Sequence, residues 1–330
     1  MSKGKRIGYG VLSLLPLLFM LLIQVLGGQI IYAAVTVYMS MQPGMDPAML
    51  NDIVYTYVME HYTGILLLIQ GVTLLVFGCW YYLGFTRKKE RGSAKNLLHI
   101  HNLAGIFLLS VGIYFFVTLF LVAADHLVPD IMDEYNMLME ESGIVGLTLL
   151  SSIVTLVMAP LGEELIFRGL TLQYLRKTGL GFHAANIIQA ILFGIAHMNW
   201  IQGIYAFLLG LILGWLCKRF KTLAAPMLLH MFFNFSGTYI AALIDPLPEN
   251  IWLYLFLFAA FSIFTFLGIK VLGKAPLYQE KTIEKKKAGK KSSNPVSSLL
   301  FLWRSANQTP FLADKIIFQS SGNKYSLYLE

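Results

Sequence analysis

The chain has 330 residues, of which 57% are hydrophobic and only 13% are charged. A water-soluble protein of this length carries about 25% charged residues, so the surplus apolar surface must face lipid. The composition therefore excludes a soluble globular protein. It predicts a polytopic membrane protein of the all-α class, in which each apolar run of about 20 residues crosses the bilayer as a helix.

The apolar runs of this sequence predict about eight transmembrane helices. The predicted spans are Ile7–Met39, Gly64–Phe85, Leu98–Ala123, Gly143–Tyr174, Ala184–Trp200, Gly203–Leu216, Leu223–Ile244 and Ile251–Ile269. We therefore expect four parts along the chain. These are three N-terminal helices with their loops (1–142), a core of four helices (143–244), a last transmembrane helix (245–273) and a lysine-rich, disordered cytoplasmic tail (274–330).

The net charge of +7 indicates how the chain is oriented in the membrane. None of the 25 Lys and Arg residues falls in the loops 40–63, 124–142, 199–202 or 245–250. By the positive-inside rule these loops are external, so the N-terminus and C-terminus are both expected to be cytoplasmic. The asymmetry accounts for the basic charge, and no nucleic-acid partner is needed to explain it. We expect a multi-pass integral protein of a bacterial plasma membrane.

The fourth predicted span contains three ionisable residues, Glu163, Glu164 and Arg168. An ionised side chain in the middle of a bilayer costs about 2.5–3.5 kcal/mol, so this group needs partners or a purpose. On a helix, Glu164 and Arg168 are one turn apart and can pair, while Glu163 points about 100° away. The spacing thus leaves Glu163 free for chemistry. The alternative is an interhelical ion-pair network that only fixes packing.

Three further polar residues lie in other predicted spans, namely His197, His230 and Asn234. His230 and Asn234 are four residues apart and share one helix face. Counted at 1.5 Å per residue from the cytoplasmic end of each helix, Glu163, His197 and Asn234 lie about 20 Å deep, and His230 about 14 Å deep. These side chains are therefore expected to meet in one layer near the centre of the bilayer.

This set of residues is suited to two kinds of hydrolytic chemistry. Glu163 beside the imidazole of His197 can activate a water molecule, while His230 and Asn234 can donate hydrogen bonds to an oxyanion. Alternatively, Glu163, His197 and His230 could bind Zn²⁺ with water as the fourth ligand. The chain has no H-E-x-x-H sequence, the usual helical zinc-protease pair. Both kinds of chemistry stay open at this point.

The order of these residues along the chain resembles a known motif set. E-E-x-x-x-R is present at 163–168, F-x-x-x-H at 193–197 and H-x-x-x-N at 230–234. This series, on successive membrane helices, is similar to that of the CAAX-protease and bacteriocin-processing family of intramembrane glutamic endopeptidases, also called the Abi family. The resemblance covers about Ile153 to Gly237, and no residue of the three motifs is missing.

Carried over position by position, the resemblance implies a role for each residue. Glu163 and His197 would activate water and His230 with Asn234 would form the oxyanion hole. Support would come from Glu164 and Arg168. Members of this family have also been described as metalloproteases, so a zinc site stays an alternative.

The resemblance further implies an endopeptidase whose substrate is a membrane-embedded or lipid-anchored peptide. Two other functions compete with it. One is a non-catalytic membrane protein that acts by binding, such as a bacteriocin self-immunity factor, and the other is a transporter with a polar centre. A transporter of the usual kind would show broken helices in two related halves, and the sequence shows no such symmetry.

Overall fold

The computed structural model describes residues 1–86, 97, 99–141, 148–244, 247, 250–274, 316–321 and 324–329. The chain divides into two units, Met1–Tyr278 and Gln279–Glu330. In the described part of the first unit every regular element is a helix. The predicted all-α architecture is therefore confirmed for this unit.

Ten helices make up the described part of the first unit. In chain order they are α1 Lys3–Ser40, α2 Leu50–Glu60, α3 Tyr62–Thr86, α4 Ile100–Leu127, α5 Pro129–Glu141, α6 Leu149–Lys177, α7 Phe182–Ala196, α8 Trp200–Phe220, α9 Ala224–Ile244 and α10 Ile251–Lys274. By length and composition, α1, α3, α4, α6, α8, α9 and α10 can each cross a membrane, whereas α7 is apolar but has only 15 residues. The chain is thus a multi-pass integral membrane protein, and each of the eight predicted spans corresponds to a helix.

Three of the long helices contain stretches of the wider π-helical geometry. They lie at Tyr82–Thr86 in α3, at Ile153–Met158 and Leu165–Thr171 in α6, and at Ser236–Ile240 in α9. The first stretch in α6 ends just before Pro160, which has no N–H to donate to the preceding turn, so the regular hydrogen-bond pattern cannot continue there. Short π-helical stretches occur often at functional sites. The two stretches of α6 flank Glu163 and Glu164.

Two helices, α2 and α5, were not predicted. They occupy the segments 40–63 and 124–142, which the sequence analysis treated as external loops. Both are short and amphipathic, and a search for apolar runs of about 20 residues does not detect such helices. Met132 and Tyr135 of α5 pack against Ala124 and Ile201. Burial raises the pKa of Tyr135, although a hydrogen bond with a tyrosine hydroxyl of α8 acts in the opposite direction.

Helices α4 and α10 are in very close contact. A Cβ atom added to Gly105 would lie 2.8 Å from Leu272 Cγ, and one added to Gly268 would lie 2.7 Å from the backbone nitrogen of Leu109. Glycine therefore allows the two backbones to approach, as small residues commonly do between membrane helices. This pair fixes the last helix to the bundle.

We expect Gly268→Ala to destabilise the protein, because the added methyl group collides with the backbone of Leu109. Overpacking of this kind costs about 1–3 kcal/mol. Thermal unfolding of the detergent-purified protein should show a lower Tm. Gly273→Ala, also on α10, is the matched control because nothing lies within 4 Å of its added Cβ. Equal Tm values for the two variants would contradict this account of the α4–α10 contact.

The second unit contains an antiparallel β-hairpin. Strand β1, Ile316–Ser321, pairs with strand β2, Lys324–Leu329, so that Ile316 is opposite Leu329. The sequence analysis assigned no regular element to this segment. The lysine-rich part of the predicted tail lies outside the described residues.

Candidate active site

The candidate site is built around an ion pair inside α6. Arg168 Nη1 lies 2.8 Å from Glu164 Oε1, and the side chains of both residues are fully buried. This is the pair expected from their spacing of four residues. Arg168 Nη2 also donates a hydrogen bond to the carbonyl oxygen of Gly210 on α8, at 3.3 Å. The guanidinium group thereby links α6 to α8.

An aromatic side chain of α7 covers the same guanidinium group. The Arg168 Cζ atom lies 4.4 Å from the centre of the Phe193 ring, within the range of a cation–π contact. The Phe193 ring also contacts the rings of Phe167, His197 and His230 edge-on, with centroids 5.0, 4.9 and 5.8 Å apart. Phe193 therefore contacts the guanidinium group of the ion pair and both histidines. Phe193 is the first residue of the F-x-x-x-H motif, and the sequence alone predicts no role for it.

His230 of α9 also contacts the ion pair. Its Nδ1 atom lies 3.0 Å from Glu164 Oε1, and its Nε2 atom lies 3.6 Å from Glu163 Oε2. An ionised carboxylate can only accept hydrogen bonds, so Nδ1 is the nitrogen that donates to Glu164. The other nitrogen, Nε2, then faces Glu163. The buried pair thus sets which edge of the imidazole is directed at the free carboxylate.

Glu163 differs from its neighbour in being accessible. About 25% of its side chain is exposed, whereas the Glu164 side chain is completely buried. Glu163 lines a cavity of about 180 Å³ that is large enough for several water molecules. The cavity is lined by Met20, Gln24, Gln70, Thr73, Gly162, Glu163, Ile166, Phe167, Phe193, Ala196 and His197.

His197 lines the same cavity, from a position just after the last residue of α7. Its Nδ1 atom donates to the carbonyl oxygen of Phe193 at 2.8 Å, which leaves Nε2 for other partners. The predicted span Ala184–Trp200 extends too far, because the helix ends at Ala196. Its 15 residues extend about 22 Å, less than the hydrocarbon thickness of about 30 Å. Non-helical backbone at the depth of the membrane is tolerated where it lines a cavity.

Asn234 binds α6 directly. Its Nδ2 atom donates to the carbonyl oxygen of Thr155, in the first π-helical stretch of α6, at 2.9 Å. An asparagine amide carries a second N–H, which this contact leaves available. The described geometry thus brings Glu163, Glu164, Arg168 and His230 into one connected cluster. His197 shares the cavity with Glu163, and Asn234 fixes α9 against α6.

The zinc alternative depends on whether three ligands lie close enough together. Among the residues that the structure describes, no three His, Cys, Asp or Glu side chains form a group that could hold a metal ion. One ring nitrogen of His230 is taken by Glu164 and one of His197 by a backbone carbonyl, and such contacts are also usual for histidines that bind a metal through the other nitrogen.

The segment that contains this cluster matches a known family model. The family model described as type II CAAX prenyl endopeptidase, Rce1-like, matches residues 145–236, a little over a quarter of the chain. This match supports membership of the CAAX-protease and bacteriocin-processing family for residues 145–236. The comparisons with curated proteins and with solved structures gave no match. The family match supports a protease that acts in a membrane, and it includes every residue of the cluster.

We expect Arg168→Met to destabilise the protein strongly, because it leaves the buried Glu164 carboxylate without its cation. Breaking one partner of a buried pair costs about 3–5 kcal/mol. Thermal unfolding in detergent should show a large fall in Tm for this variant and little change for Glu163→Gln. The double variant Glu164→Gln/Arg168→Met should recover part of the loss. A double variant no more stable than Arg168→Met would contradict the assignment of the loss to an unpaired charge.

Proposed function

We propose that this protein is an intramembrane endopeptidase of the glutamic type, with Glu163 as general base. The observation that carries the proposal is the contrast between the two adjacent carboxylates. Glu164 is buried and paired with Arg168, while Glu163 is partly exposed in a cavity that it shares with His197. A carboxylate that has access to water and is not paired with the arginine is suited to accept a proton.

His197 is placed to orient the attacking water. Its Nδ1–H is used by the carbonyl of Phe193, so in the neutral ring Nε2 is an acceptor. A water molecule in the cavity can donate one hydrogen bond to Nε2 and the other to Glu163. Two acceptors around one water direct its oxygen lone pair toward a third position, where the scissile carbonyl would lie.

The proposed reaction balances with these groups. Glu163 takes a proton from the water, and the hydroxide oxygen bonds to the carbonyl carbon of the scissile amide. The negative charge on the former carbonyl oxygen receives hydrogen bonds from the free N–H of Asn234 and from His230 when Nε2 carries a proton. The protonated Glu163 then gives its proton to the amide nitrogen, the C–N bond breaks, and a carboxyl group and an amine are released.

Glu164 and Arg168 are proposed to support the site without contacting the substrate. Glu164 accepts hydrogen bonds from Arg168 and from His230 Nδ1, at 2.8 and 3.0 Å, and so holds the imidazole in one tautomer and one orientation. A positioned second partner of this kind is the usual way to orient a working histidine. In this proposal every member of the cluster has a function.

We propose that the substrate is a membrane-embedded or lipid-anchored peptide. The family model is described as a prenyl endopeptidase of CAAX proteins, which makes a lipidated C-terminal peptide the first class to test. The cluster lies on helices that can cross a membrane, so a soluble substrate would have to enter the bilayer. The proposed location is a bacterial plasma membrane with both termini in the cytoplasm.

We expect Glu163→Gln to abolish cleavage, since the amide cannot accept the proton from water. Membrane and secreted peptides, with mapped N- and C-termini, are compared between cells that carry the wild type and cells that carry the variant at equal membrane levels. Peptide termini made by this enzyme should be present with the wild type and absent with Glu163→Gln. Glu134→Gln, an exposed carboxylate of α5, is the matched control and should leave these termini unchanged.

Identical peptide sets from the wild type and Glu163→Gln would rule out the proposed activity. If the variant then still rescued a cellular phenotype, a binding or immunity function would explain the protein better. The comparison also identifies the cleaved bond, because each Glu163-dependent terminus marks one side of it.

A further inference from the structure

Two glutamines from the N-terminal helices lie in the cavity of the proposed active site. Gln24 of α1 and Gln70 of α3 line it together with Glu163 and His197. Both helices fall outside the segment 145–236 that the family model matches. The catalytic motifs therefore do not account for these two amides.

The side chain of Gln70 lies close to α6. Its Oε1 atom lies 3.6 Å from the point that a Cβ on Gly162 would occupy, and Gly162 directly precedes Glu163. The Gln70 amide therefore lies in van der Waals range of the backbone that carries the general base. Thr73, one turn further along α3, also lines the cavity, but its hydroxyl donates to the carbonyl of Ile69 at 2.9 Å. The hydroxyl of Thr73 therefore already has a hydrogen-bond partner in its own helix.

Neither glutamine amide makes a hydrogen bond within the part of the chain that the structure describes. Gln24 is exposed and Gln70 is partly exposed, so both amides are accessible from the cavity. A polar group without a partner inside a membrane-spanning helix is costly, and such residues generally serve a pathway or a binding site. Because neither amide has a hydrogen-bond partner among the described residues, we look for one that arrives from outside the bundle.

A peptide that is cut inside a membrane needs partners of this kind. Its scissile bond is accessible only when the surrounding segment is extended, and its backbone N–H and C=O groups then lose their helical hydrogen bonds. A glutamine amide offers a carbonyl acceptor and two N–H donors, so one side chain can pair with both backbone groups of an extended residue. Two such amides beside Glu163 can hold a short stretch of extended peptide.

We propose that Gln24 and Gln70 bind the backbone of the substrate next to the scissile bond and so hold its carbonyl carbon toward the water at Glu163. The inference rests on the proposed endopeptidase function and adds a peptide-binding element from α1 and α3. Because backbone groups are common to all peptides, these contacts require an extended substrate and do not select a particular side chain. Prolyl bonds, which lack an N–H, should be poor substrates at the position bound by these amides.

The test uses Gln24→Leu and Gln70→Leu in the full chain, with Gln29→Leu as the matched control. Gln29 is an exposed glutamine on α1, five residues beyond Gln24, and does not line the cavity. The readouts are the amount of each Glu163-dependent peptide terminus at equal membrane level and the Tm of the detergent-purified protein. We expect each cavity variant to lower the termini about tenfold, equivalent to about 1.4 kcal/mol of lost transition-state binding. Gln29→Leu should leave them unchanged.

The Tm separates substrate binding from a structural role. Leucine is favourable in a membrane-spanning helix, so the cavity variants should be at least as stable as the wild type. Normal termini in both cavity variants would overturn the inference, as would a fall in Tm that accompanies the loss of termini. If no termini depend on Glu163 at all, the proposed function fails and the inference fails with it. That result differs from the case in which only the glutamine variants have no effect.

Discussion

The buried pair of Glu164 and Arg168 is the interaction on which the rest of the site depends. Two charges removed from water are costly unless further hydrogen bonds and a good geometry compensate them. Here α8 supplies the carbonyl of Gly210, α9 supplies His230 and α7 covers the guanidinium with Phe193. Each of these contacts fixes one helix against α6. Stabilising the pair therefore also assembles the site, and Glu163 is the carboxylate that this arrangement leaves available.

A second constraint is the short length of α7. The 15 residues of this helix extend about 22 Å, which is less than the hydrocarbon thickness of about 30 Å. Met198 then adopts a positive φ of 51°, and the Asn199 side chain accepts a hydrogen bond from the Gln202 backbone at the start of α8. This tight, capped turn brings His197 to the cavity from the end of a helix. A full-length span would have placed the same residue on a helix face.

The sequence was sufficient to predict the long helices and the Glu164–Arg168 pair. Both follow from local rules, namely the length of an apolar run and the spacing of residues along a helix. It was less informative where several helices meet. The contact of Asn234 with the backbone of Thr155 and the packing of Phe193 around Arg168 depend on how α6, α7 and α9 approach one another. The helices α2 and α5 were missed because they are amphipathic and short. Gln24 and Gln70 did carry a signal, as polar residues within apolar runs, but only the fold places them beside Glu163.

The division of the cavity between two parts of the chain has a consequence for specificity. The groups that would act on water and on the oxyanion all lie within 145–236, the segment that the family shares. Opposite them, the wall formed by Met20, Gln24, Gln70 and Thr73 comes from α1 and α3. Under the proposed function, a substrate that reaches Glu163 through this cavity contacts both parts. Changes in the N-terminal helices can therefore alter which peptides are accepted while the chemistry is retained, and a family defined by its catalytic helices can serve different substrates.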